Sequence, residues 1–60
     1  MWIVYDDNNN KSWEFSDKES MIDFVNTMDY EGLIDDSWWV EFDYLDRNRR
    51  NDTYPITDFI

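Results

Sequence analysis

Hydrophobic and polar positions change their spacing several times along the chain. Trp2-Ile3-Val4-Tyr5 is a β-branched and aromatic run, which predicts a strand. Asp6-Asp7-Asn8-Asn9-Asn10 follows; Asp and Asn tolerate positive φ and form Asx turns, so this segment reads as a hairpin connection. Ser12 to Ser16 then alternates, with Trp13 and Phe15 on one side and Ser12 and Glu14 on the other, the pattern of a half-buried strand.

The spacing next becomes helical. Ser16-Asp17-Lys18-Glu19 fits a capping box, with Ser16 as N-cap and Glu19 three residues on. Asp17 and Glu19 also suit the positive end of a helix dipole. Met21, Ile22, Phe24, Val25 and Met28 share one apolar face, and Glu19, Asp23, Asn26 and Tyr30 lie opposite. Gly32 is the expected C-terminal cap, so the helix is predicted over 17–30.

After Asp35-Asp36-Ser37, strict alternation returns from Trp38 to Leu45. Trp38, Val40, Phe42 and Tyr44 take one side; Trp39, Glu41, Asp43 and Leu45 take the other. A polar loop covers 46–52. Tyr54, Ile56 and Ile60 are placed on one face of a last short strand, which Pro55 confines to a sheet edge. The order β-β-α-β-β predicts a single small α+β domain over 1–60: a four-stranded, mostly antiparallel sheet with one helix packed on one face.

One helix covers one side of a sheet. Trp38 and Trp39 are adjacent and must point to opposite sides, so Trp39 is expected on the uncovered side with Leu45, Ile3 and Tyr5, beside Glu41 and Asp43. A second copy of the chain, a bound partner or a folded-over terminus would shelter it, and a homodimer is the favoured expectation.

Charge changes the picture most. Fifteen acids against five bases give a formal net charge of −10. Acidic chains are often disordered, but those are poor in aromatics, and this one has four each of Trp, Tyr and Phe to build a core. Direct binding to nucleic acid is not expected from so negative a field. With neither cysteine nor histidine, the chain lacks a disulfide framework, a thiolate metal site and the usual nucleophile–base pairs. No apolar run reaches the roughly 18 residues needed to cross a bilayer, so a soluble, cytoplasmic protein without membrane contact is expected.

Adjacent carboxylates at Asp6/Asp7 and Asp35/Asp36, and the Glu41/Asp43 pair, are numerous enough to arise by chance, and no catalytic residue or cofactor is assigned. Asp6, Asn8, Asn10, Ser12, Glu14 and Asp17 follow the ligand spacing of an EF-hand loop. Lys11 stands where that loop requires Gly, and strands flank it, so the hairpin reading is preferred and no metal site is assigned. Arg47, Arg49 and Arg50 are read as solvating a loop and offsetting Asp46 and Asp52.

The acidic surface is the main lead, since −10 exceeds the magnitude of about 2–8 that keeps a small domain soluble. Glu41 and Asp43 are one strand repeat apart, about 6.6 Å, close to two phosphate steps of about 3.4 Å along a DNA strand. Glu19 and Asp23 form a pair of similar size on the helix. Such carboxylates on a rigid scaffold could fill a Lys- and Arg-lined groove that normally holds nucleic acid.

In its small size, its acidity, its lack of cysteine and the spread of Asp and Glu over its whole length, the chain resembles the small inhibitors that bacteriophages direct against host nucleic-acid enzymes, the DNA-mimic and anti-CRISPR-like proteins. The resemblance implies a non-catalytic protein whose partner is a host nucleic-acid-binding protein with a basic groove. On the residue reading, Glu19, Asp23, Asp35, Asp36, Glu41 and Asp43 form the contact, with Trp39 or Tyr30 as aromatic anchor. The other reading is a small homo-oligomeric interaction module that uses Trp39 and Leu45 and whose acidity only provides solubility.

Overall fold

A computed structural model describes residues 1–60. Its elements are β1 (Trp2–Asp6), β2 (Lys11–Phe15), α1 (Lys18–Tyr30), β3 (Trp38–Phe42), β4 (Asp52–Pro55) and a closing 3-10 turn, η1 (Ile56–Phe59). The sheet runs in the order β2-β1-β3-β4 with every neighbouring pair antiparallel, so the expected β-β-α-β-β α+β fold is present.

Each element has a local cause. The first hairpin closes because the Asp6 carboxylate accepts from the Asn9 backbone N–H at 3.3 Å and from Asn9 Nδ2 at 2.8 Å. Asn10 takes the left-handed φ of 53° that Asn tolerates. The helix starts one residue later than the capping-box reading places it. Asp17, not Ser16, is the N-cap, and its Oδ1 accepts from the Ser20 backbone N–H at 2.7 Å. At the other end Gly32, at φ +75°, completes a Schellman motif: its N–H donates to Asp29 O at 2.9 Å and that of Leu33 to Met28 O at 3.0 Å.

The helix lies on the side of the sheet formed by Trp2, Val4, Trp13, Phe15, Trp38, Val40 and Tyr54. Val4, Val40, Met21 and Val25 are fully buried between the two layers. Aromatic rings wall this core. Trp13 stacks on Trp38 at 5.2 Å and meets Phe24 at 4.9 Å, and Trp2 packs edge-on against Phe42 at 4.7 Å. The indole N–H of Trp38 is sealed from solvent and has no acceptor in the protein.

Two expectations for the second half are corrected. The alternation from Trp38 to Leu45 makes a strand only to Phe42. Met1 and Asp43 extend the pairing by one step, with N···O distances of 3.0 and 2.8 Å. Asp43 Oδ1 then accepts from the Leu45 N–H at 2.8 Å and turns the chain, leaving Leu45 at φ 57° and 75% exposed. The face proposed for Tyr54, Ile56 and Ile60 breaks at Pro55, after which Ile56 is buried in η1 and Ile60 is exposed. As expected from Pro55, β4 is an edge strand. No helix is long and apolar enough to cross a membrane.

Candidate functional site

Strand alternation assigns the uncovered face of the sheet. Ile3 and Tyr5 of β1, Ser12 and Glu14 of β2, Trp39 and Glu41 of β3, and Thr53 and Pro55 of β4 all point away from the helix. None of these eight positions is basic. Both lysines and Arg49 lie elsewhere. Lys18 sits over the Trp2 ring at 5.7 Å, on the helix side. Lys11 stands opposite buried Asp6 in the strand register and lines a cleft with Met28 and Trp38 on that same side. Arg49 stacks its guanidinium 3.7 Å above the Tyr44 ring, within the loop between β3 and β4.

The centre of the open face is a stacked aromatic pair. Tyr5 and Trp39 are cross-strand partners whose rings lie 4.2 Å apart and within 12° of parallel. Hydrogen bonds tie both rings to carboxylates. Trp39 Nε1 donates to Asp7 Oδ2 at 2.9 Å, and Tyr5 Oη donates to Glu41 Oε1 at 2.8 Å. Asn51 Nδ2 donates to the other Glu41 oxygen at 2.9 Å. The Tyr5 hydroxyl is pushed up to about 12, first by its bond to Glu41, then by burial, then by the negative charges of Glu41, Asp43 and Glu14. This proton therefore reports the field of the open face, to which three carboxylates contribute.

The eight contact residues taken from the sequence fall into three places. Trp39, Glu41 and Asp43 come together on or beside the open face. Glu19, Asp23 and Tyr30 lie on the solvent side of the helix, across the molecule from it, and Tyr30 is 92% exposed. Asp35 and Asp36 sit in the connection to β3. Asp35 is occupied as a structural acceptor. It receives the Ser37 hydroxyl, the Ser37 N–H at 2.8 Å and Asn8 Nδ2 at 3.2 Å, which hold its carboxyl below the usual range. Asp36 is exposed. The single acidic face drawn from the sequence is thus divided, and only its sheet portion is joined by aromatics.

Tyr5, Glu14, Asp7 and Asn51 complete this portion and were missed as site residues. Alternation signals Tyr5 and Glu14, since Ser12 and Glu14 were already assigned to the polar side of β2. Asp7 and Asn51 come from loops and have no such signal.

Asp17 and Asp35 are both held below the ordinary carboxylate range by hydrogen bonds, Asp17 from Ser20 and Asp35 from Ser37 and Asn8. No group of three or more carboxylates is placed to hold a metal ion. The EF-hand-like spacing is split by the hairpin, with Asp6 buried on the helix side and Ser12 and Glu14 on the other. No protein-family model, curated protein or solved structure matches this chain.

Proposed function

We propose that the protein is a non-catalytic inhibitor, of viral origin, that presents its acidic sheet face to the basic groove of a host nucleic-acid-binding or defence enzyme and occupies the place of nucleic acid there. The observation that carries this reading is the segregation of charge. The open face offers Glu14, Glu41 and Asp43 around a stacked Tyr5–Trp39 pair, and none of its strand positions carries a basic side chain.

The backbone pairing of Met1 with Asp43 keeps Glu41 and Asp43 one strand repeat apart, about 6.6 Å along the chain. The net charge of −10 adds long-range attraction, which speeds encounter and makes it salt-dependent.

The test is the double reversal Glu41→Lys with Asp43→Lys. Host proteins retained by the wild-type protein are purified and their affinities for both forms measured across a salt series. The expected result is a loss of at least about tenfold at low salt, with a shallower salt dependence. Unchanged affinity and unchanged salt dependence refute the reading.

The homo-oligomeric alternative draws less support. Tyr5 shelters one face of Trp39 from within the chain, and Leu45 lies in the loop past the strand end. The mass of the wild type and of Trp39→Asp in solution separates the two readings. A wild-type dimer that the substitution dissociates would favour the module.

A further inference from the structure

The Tyr5–Trp39 stack leaves one side of the indole unused. Trp39 stands on β3 between Tyr5 on β1 and Pro55 on β4. Tyr5 covers the face toward β1. On the β4 side, Trp39 together with Thr53, Tyr54 and Pro55 walls a shallow, open trough of about 380 Å³. The stack and the bond from Trp39 Nε1 to Asp7 hold the ring in place, so an occupant meets a surface already ordered for binding.

Negative charge lies at the N–H edge of this ring and at the next same-side position of its strand. Asp7 holds the indole N–H, and Glu41 is the next residue on the same side of β3, opposite Thr53. An aromatic face flanked by carboxylates selects a cation. Pro55 lacks an N–H and stands beside the trough on an edge strand, which disfavours addition of a further strand and leaves a side chain as the fitting occupant. Of the two cationic side chains, a planar, weakly hydrated guanidinium lies flat in a shallow trough, whereas a strongly hydrated ammonium does not. The molecule already makes this contact once, where Arg49 stacks on Tyr44 at 3.7 Å.

We propose that the trough on the free face of Trp39 is a socket for an arginine side chain projecting from the partner's basic surface. The proposal rests on the reading of the open face as a grip for a cationic groove, and it names the residue gripped.

The probes are a tetra-arginine and a tetra-lysine peptide with blocked ends, titrated at low salt into the ¹⁵N-labelled 60-residue protein. The arginine peptide should bind roughly two- to fivefold more tightly. It should also shift the Trp39 indole and Thr53 amide signals more than those of the helix. Trp39→Leu keeps an apolar cover and removes the π face; it should abolish the arginine preference while retaining binding of the lysine peptide. Should that variant fail to fold, the shift map of the wild type decides.

Equal affinity for the two peptides, or signals that move only outside the trough, overturns the socket. In that case a salt-dependent loss of partner affinity on reversing Glu41 and Asp43 would still uphold the acidic-face reading. If neither peptide binds and that reversal also changes nothing, both fail.

Discussion

On the helix side of the sheet, Val4 and Val40 are fully buried beneath Met21 and Val25. Next to them on the same strands, Tyr5 and Trp39 face away from the helix, only partly buried and tied to carboxylates by hydrogen bonds. The two faces share a backbone and differ in what their side chains rely on. The covered face depends on shape and exclusion of water, where each lost methylene is felt. The open face depends on a ring stack and a few charged acceptors. A 60-residue chain can thus concentrate its core on one side of the sheet and leave the other side without basic residues. The net negative charge of the chain destabilises through self-repulsion.

The largest expected effect comes from breaking the covered side. Met21→Ala should cost about 2–5 kcal/mol in urea unfolding, a large part of the stability of so small a domain. Glu14→Gln on the open side should stay within about 0.5 kcal/mol of the wild type. Comparable losses from both would end the division of labour between the faces.

An intermediate effect is expected from pH. The Tyr5 hydroxyl is raised from its ordinary value of 10.0 to about 12, so the folded protein keeps a proton that the unfolded chain releases. The stability contributed by this group is intact below pH 10 and declines as pH rises toward 12. Glu41→Gln removes the main cause and should return the Tyr5 titration toward 10, read as a difference in phenolate absorbance. Identical titration curves would mean that the hydroxyl does not report the acidic face. The smallest effect concerns the helix start: Asp17→Ala should lower the urea midpoint slightly, and Ser16→Ala should leave it unchanged. The reverse order would restore Ser16 as the cap.

Much of the fold was legible because the two periods of the chain are clean. Alternation placed Trp38 and Trp39 on opposite sides, and helical spacing selected Met21 and Val25. The errors arose where a short polar side chain competes with backbone pairing. Asp43 captures the Leu45 N–H and ends β3, although the residue types go on alternating. Ser16 and Asp17 can both cap a helix, and the pattern does not choose between neighbours. The site was harder to read. Acids on the helix and on the strands look alike in a sequence, and only the three-dimensional arrangement sets Glu19 and Asp23 on the far side from Glu41. The contact of Tyr5 with Trp39 needs β1 beside β3, a pairing between strands that are not consecutive and that local pattern leaves open. Asp35 was a reasonable candidate by charge, but its hydrogen bonds to Ser37 and Asn8 spend it on a turn.

On the proposed reading the open face takes the place of nucleic acid in a cationic groove. Its most direct measurement is displacement. A purified host partner is loaded with labelled duplex or single-stranded nucleic acid, and wild-type protein is titrated in at low and at high salt. The account predicts stoichiometric release that weakens as salt rises and is largely lost when Glu41 and Asp43 are reversed to Lys. A partner that binds the protein while keeping its nucleic acid bound, at every salt concentration, would contradict it.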